Sequence, residues 1–200
     1  MTIETRTLRS GPADSPDIYA IVSERIAMKD GFSLLSKTID RSFGVSYSVS
    51  SYTNAGVPVE SVQEGNWNDR WNVLATKFGA REAIQSINGE VTKGAKPAKQ
   101  FTNPTTLWFW KTNPKPGTAV TVDILAQNTI ATFQIRYTYE GDEQMTLAGR
   151  KVTVHRVREK PLSAPDAVYT IWWYDDQGMG VKRFHKTTQN EYTFDLVSWR

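Results

Sequence analysis

From Phe133 to Tyr139 the residues alternate without a break: Phe133, Ile135, Tyr137 and Tyr139 take one parity, and Gln134, Arg136, Thr138 and Glu140 the other. In an extended chain successive side chains point to opposite faces, so this period of two specifies a strand with one apolar face and one polar face. The stretches that follow extend the pattern. Glu140-Gly141-Asp142-Glu143 reads as the turn that ends this strand, and Ala148-Gly149-Arg150 as a second turn before a strand from Lys151 to Arg158. Ala167 to Tyr174 is apolar on both parities. A glycine-containing turn from Asp175 to Gly180 then leads into Val181 to His185 and Glu191 to Trp199, so that the strands from Lys151 onward make a four-stranded meander.

Upstream, Leu107-Trp108-Phe109-Trp110 is a second strand with aromatics on both faces. It is ended by Asn113-Pro114-Lys115-Pro116-Gly117, and Val120 to Leu125 resumes the alternation. In these two-faced strands Trp108 and Trp110 oppose Phe109, and Trp172 and Tyr174 oppose Trp173. Both faces therefore need cover. The first half is less regular. Ser15-Pro16-Asp17 carries helix-start chemistry, yet Ile18, Ala20, Val22, Glu24, Ile26 and Met28 fall on one parity, and strand is the preferred reading of 15–28. Phe43 to Tyr52 reads as strand. Trp67, Trp71, Leu74 and Phe78 are spaced for a short amphipathic helix as well as for a strand, so 66–88 stays open. The expectation is a mostly β fold: an antiparallel meander curled into a barrel or half-barrel, with at most one or two short helices.

A chain of 200 residues suits one domain, 1–200, with an internal division near 93–104 where Lys93-Gly94-Ala95-Lys96-Pro97-Ala98-Lys99 reads as a linker. The absence of cysteine excludes disulfides, thiolate metal sites and a thiol nucleophile. A net charge of +3 is too small to argue for nucleic acid, and no specific nucleic-acid partner is expected. No apolar run reaches the roughly 18 residues of a membrane span, and Met1 to Asp17 lacks the apolar region of a leader. The chain reads as cytoplasmic if Met1 is the native start and as periplasmic if a leader was removed.

The chemistry-bearing motifs are each incomplete. There is no G-x-S-x-G and no phosphate-binding loop, and Gly178 and Gly180 lie in a hairpin turn rather than between strand and helix. His155 and His185 are the two histidines. On neighbouring strands, with Asp175 or Asp176, they would form an acid–base pair, but they lack ligand spacing, and neither metal nor cofactor is expected. The plainer reading places them on a partly solvated strand face, with the two aspartates as turn residues. Arg156, Arg158 and Lys160 with Lys182, Arg183 and Lys186 read as a basic sheet edge. The unusual feature is aromatic content: 7 Trp, 8 Tyr and 8 Phe. Such side chains fill the interior of a closed sheet or line a lumen that holds a ligand.

Three stretches carry a resemblance: Pro114-Lys115-Pro116-Gly117 before an alternating strand, Ile171-Trp172-Trp173-Tyr174-Asp175-Asp176 leading to Val181-Lys182-Arg183, and Tyr192-Thr193-Phe194-Asp195-Leu196-Val197-Ser198. Over Thr105 to Arg200 the chain resembles an uncharacterised β-rich bacterial family catalogued as a domain of unknown function, whose sheets are similar to those of periplasmic lipoprotein carriers. The resemblance implies a curved sheet and supplies no catalytic residue.

The reading that follows is a non-enzymatic binding module holding an apolar or amphipathic small molecule against Trp108, Trp110, Tyr137, Trp172 and Tyr174. The alternatives are a cofactor-independent isomerase, cyclase or hydratase with His155 or His185 as acid or base, and a structural or protein-interaction domain. A titratable group among the aromatics separates carriage from chemistry. The oligomeric state is not legible from the sequence.

Overall fold

The computed structural model describes residues 3–10, 19–40, 44–54, 57–67, 70–80, 82–95, 112–125 and 132–200. Among the described residues are fourteen strands: β1 (Ile3–Ser10), β2 (Tyr19–Met28), β3 (Gly31–Asp40), β4 (Gly44–Thr53), β5 (Pro58–Trp67), β6 (Arg70–Phe78), β7 (Glu82–Ile87), β8 (Glu90–Ala95), β9 (Ala119–Leu125), β10 (Thr132–Leu147), β11 (Arg150–Pro161), β12 (Tyr169–Tyr174), β13 (Gly180–Lys186) and β14 (Glu191–Trp199). All belong to one antiparallel sheet in the order β8-β7-β6-β5-β4-β3-β2-β1-β14-β13-β12-β11-β10-β9. Each strand pairs with its neighbour in sequence except β8 and β9, which form the two opposite edges of the sheet. β1 also pairs with β14 and so joins the two halves of the chain.

The turn residues account for the tight hairpins. Asn88-Gly89 (φ 52° and 93°) and Ala148-Gly149 (φ 49° and 78°) both take the left-handed geometry that matches strand twist in two-residue loops. Gly141 corrects the sequence reading. Instead of turning at Glu140–Glu143, β10 continues to Leu147, and Gly141 (φ 118°) sits at a register shift against β11 that absorbs one extra residue. The described part of 66–88 is strand, not helix, in β5, β6 and β7: Leu74 is buried and Trp71 is exposed, because positions three apart on a strand point to opposite faces. The strand expected over 107–110 lies outside the described residues, as does much of the linker segment.

The sheet curls. Tyr52 on β4 and Tyr137 on β10 are eight strand spacings apart, roughly 38 Å along a flat sheet at about 4.8 Å per strand. Yet Tyr52 lies close enough for its charge to help raise the Tyr137 pKa, so the sheet curls and brings β4 toward β10 on a concave side. On that side the strands from β9 to β12 bury Val122, Ile135, Tyr137, Tyr139, Val157 and Tyr174 in one cluster. Beyond them β14, β1 and β2 bury Phe194, Leu8 and Ile21 in another. A separate cluster of Val154, Ile171, Trp173 and Val181 gathers the opposite parity of β12.

Candidate functional site

Trp172 is the hinge of the concave side, since its partly buried ring packs against both clusters there. Strand register fixes its neighbours: Trp172 lies opposite Val157 on β11 and Arg183 on β13, and Arg183 lies opposite Phe194 on β14. The Trp172 ring stacks on Tyr174, two residues along and on the same face, with centroids 5.7 Å apart and planes inclined by 13°. Its Nε1 donates to Glu159 Oε2 at 3.1 Å. The Arg183 guanidinium carbon lies 5.0 Å from the Trp172 ring centroid and 5.2 Å from that of Phe194. Gly180 makes room for this arrangement, because a Cβ there would meet Trp172 Cε3 and Cζ3 at 3.1 Å.

Burial sets the charge states of this face. It pushes the Glu159 carboxyl up, against the opposing pull of Arg183 and the Trp172 hydrogen bond. Burial also raises the phenols of Tyr137 and Tyr174 well above their ordinary range, assisted by the Glu159 charge, so both stay neutral donors. His185 faces Thr170, whose Oγ1 is 2.9 Å from its Nδ1. Burial, and then the Arg183 charge, lowers its pKa.

The other half of the concave side carries a polar row beside the buried Phe32, Tyr52 and Leu74. Register aligns Ser50, Ser61, Thr76 and Gln85 across β4 to β7 in one row. Ser50 Oγ lies 3.0 Å from Ser61 Oγ, and Gln85 Nε2 donates to Thr76 Oγ1 at 3.3 Å. Ser50, Thr76 and Gln85 are buried.

Of the sequence-predicted residues, Tyr137, Trp172 and Tyr174 are brought together in one cluster, while Trp108 and Trp110 lie outside the described residues. His155 and His185 do not meet, because β12 stands between their strands. Instead, His155 Nδ1 is 2.6 Å from Asp142 Oδ1 and its Nε2 is 3.2 Å from Asp176 Oδ1, and the Tyr139 hydroxyl donates to the same Asp142 oxygen at 2.5 Å. Burial alone would raise the Asp142 pKa, but the bonds from Tyr139 and His155 outweigh it and hold the carboxyl low. Asp175 goes elsewhere, to Arg6. Among the described residues no group of three or more His, Cys, Asp or Glu is placed to hold a metal.

Sequence reasoning missed Glu159 and the inward placement of Arg183. The available signal was parity. Once β12 is flanked by β11 and β13, the inward positions opposite Thr170 and Trp172 are Glu159 and Arg183. The expected basic edge divides accordingly. Arg156 and Lys182 lie over Trp173 and Arg158 over Tyr169, whereas Arg183 sits with Trp172 on the other face.

Neither a protein-family model nor a curated protein matches the sequence. Among solved structures, the chain is similar to the crystal structure of a beta-barrel-like protein of the domain of unknown function DUF1849 from Brucella abortus. The TM-score is 0.70 over 99% of this chain and 96% of that chain, at 8% identity. At that identity the likeness is one of fold: a β-rich, barrel-like antiparallel sheet. No helix among the described residues is long and apolar enough to cross a membrane.

Proposed function

We propose that this protein is a binding module that holds an apolar or amphipathic small molecule against the concave side of its sheet. The observation that carries the reading is the Trp172 ring, which stacks on Tyr174, joins two buried clusters and still keeps part of its surface open. A concave, mostly apolar wall with a few fixed polar groups is the usual make-up of a small-molecule site. The hydroxyl and amide row from Ser50 to Gln85 supplies polar groups on the same side of the sheet.

The titratable groups favour holding over turnover. His155 has the geometry of an oriented acid–base residue, with a carboxylate on Nδ1, but a second carboxylate engages Nε2, the nitrogen a general base would turn toward substrate. Glu159 accepts from the Trp172 indole. Native mass spectrometry of gently purified protein tests the reading through a co-purifying small molecule. Trp172→Phe should weaken retention of that molecule, and Trp173→Phe, altered on the opposite face, should not. Absence of any bound species, together with no response of tryptophan fluorescence to amphiphiles, would refute it.

A further inference from the structure

We propose that the molecule held on the concave side carries an anionic head group, a carboxylate or a phosphate ester, received by Arg183 and Arg25. This inference rests on the binding-module reading and adds the charge of the ligand.

Arg183 and Arg25 lack the carboxylate partner that Arg6, Arg156 and Arg158 possess, a lack they share with Arg9 and with Arg150, which lies over Trp199. Arg6 is paired with Asp175, Arg156 with Glu140 and Glu143, and Arg158 with Glu140. Arg183 lies over Trp172 and Phe194, and Arg25 lies 4.8 Å over Phe32, which stacks on Tyr52 at 5.1 Å. Among the described residues, neither side chain forms an ion pair, and the Nε of each is buried without a hydrogen-bond acceptor. A buried guanidinium N–H without an acceptor is costly, and a ligand oxygen relieves that cost.

Both face the same side. Arg25 shares parity with Ile21 of the concave cluster and lies opposite Leu34, which itself lies opposite Ser50 of the hydroxyl row. Of the other titratable groups on that side, Tyr52, Tyr137 and Tyr174 are phenols, burial lowers the His185 pKa and raises that of Glu159, and Glu4 lies opposite Arg25 in the β1–β2 register, so Arg183 carries the larger part of the inference. Glu159 feels the Arg183 charge without forming an ion pair with it. Arginine suits this role because its planar, permanently charged fork binds carboxylate and phosphate through two N–H groups while its face rests on aromatic rings. The aromatic wall would take the apolar body of the ligand, and the two arginines with the hydroxyl row its head.

The test uses the full chain and four single-chain amphiphiles of equal tail length, each below its micelle concentration: dodecanoate, dodecyl phosphate, dodecyl maltoside and dodecyltrimethylammonium. Binding is read by tryptophan fluorescence and calorimetry. At least one anion should bind tenfold or more tightly than the neutral and cationic compounds, and the better anion identifies carboxylate or phosphate as the natural head group. Arg183→Gln should lower the anion affinity at least tenfold and the dodecyl maltoside affinity less than threefold, and Arg183→Lys should recover part of the loss. Equal affinity for dodecyl maltoside and both anions would overturn this inference and leave the binding-module reading standing. No binding of any of the four would overturn both. Should Arg183→Gln fail to fold, the charge series on the unaltered protein and the Arg183→Lys variant still decide the matter.

Discussion

Arg6 and Asp175 stand 169 positions apart and share a buried ion pair: Arg6 Nε donates to Asp175 Oδ2 at 2.8 Å, and Nη2 lies at the same distance from that oxygen. The other carboxylate oxygen accepts the amides of Gln177 and Met179, which shapes the turn between β12 and β13. Arg6 Nη1 donates to the carbonyls of Thr5 and Arg200, and its guanidinium rests 4.1 Å over Trp199. The pair therefore ties that turn to the β1–β14 seam joining the two halves of the sheet. Removing one partner of a buried pair strands the other, so Arg6→Met should cost about 3–5 kcal/mol in urea unfolding. A loss below about 1 kcal/mol would show that water reaches the carboxylate.

Trp172 and Trp173 are adjacent in sequence and opposite in placement. Trp173 is 9% exposed, packs with Val154, Ile171 and Val181, and donates Nε1 to Glu143 at 3.1 Å. Trp173→Ala should cost about 3–5 kcal/mol through the cavity it leaves. Trp172→Ala should cost less, because part of that ring is already open, and should act mainly on ligand titration. Equal, severe losses in denaturant would place both rings in the core and remove the chief support for an aromatic binding wall.

The C-terminal strands were legible because their alternation is local: each of β11 to β14 appears in the sequence near its observed bounds. The pairing of β1 with β14 was not, since nothing local in Ile3–Ser10 specifies a partner at the far end of the chain. Gly141 misled because glycine serves a bulge as readily as a turn, and only cross-strand register tells them apart. Tyr137, Trp172 and Tyr174 were found through composition and parity. Glu159 and Arg183 were not, because a charged residue on the inward parity of a strand looks like an ordinary edge charge until its neighbours are known.

Gly180 tests how tightly the Trp172 ring is held. An added methyl would stand 3.1 Å from two ring carbons and 3.8 Å from Tyr174 Cε1, so the indole must give way against its stack on Tyr174. Gly180→Ala should destabilise by about 1–3 kcal/mol and shift tryptophan emission. An unchanged spectrum and unchanged stability would show that the ring has room to move.

Glu159 and His185 should tilt stability with pH in opposite directions. Burial raises the Glu159 pKa above its usual 4.5, so between that value and the native one the folded state holds a proton that the unfolded chain has released. Stability from this group is full below about 4.5 and is lost as pH rises through the native pKa. His185 is lowered from 6.5 by burial and the Arg183 charge, so the unfolded chain takes up a proton first, and stability is lost as pH falls below about 6.5. Urea unfolding from pH 4 to 8 separates the two. The stability of Glu159→Gln relative to the parent should climb as pH rises from about 4.5 and then level off, while that of His185→Gln should climb as pH falls from about 6.5. A flat difference for Glu159→Gln would mean that its carboxyl is solvated, and the concave side would then carry a full negative charge beside Arg183.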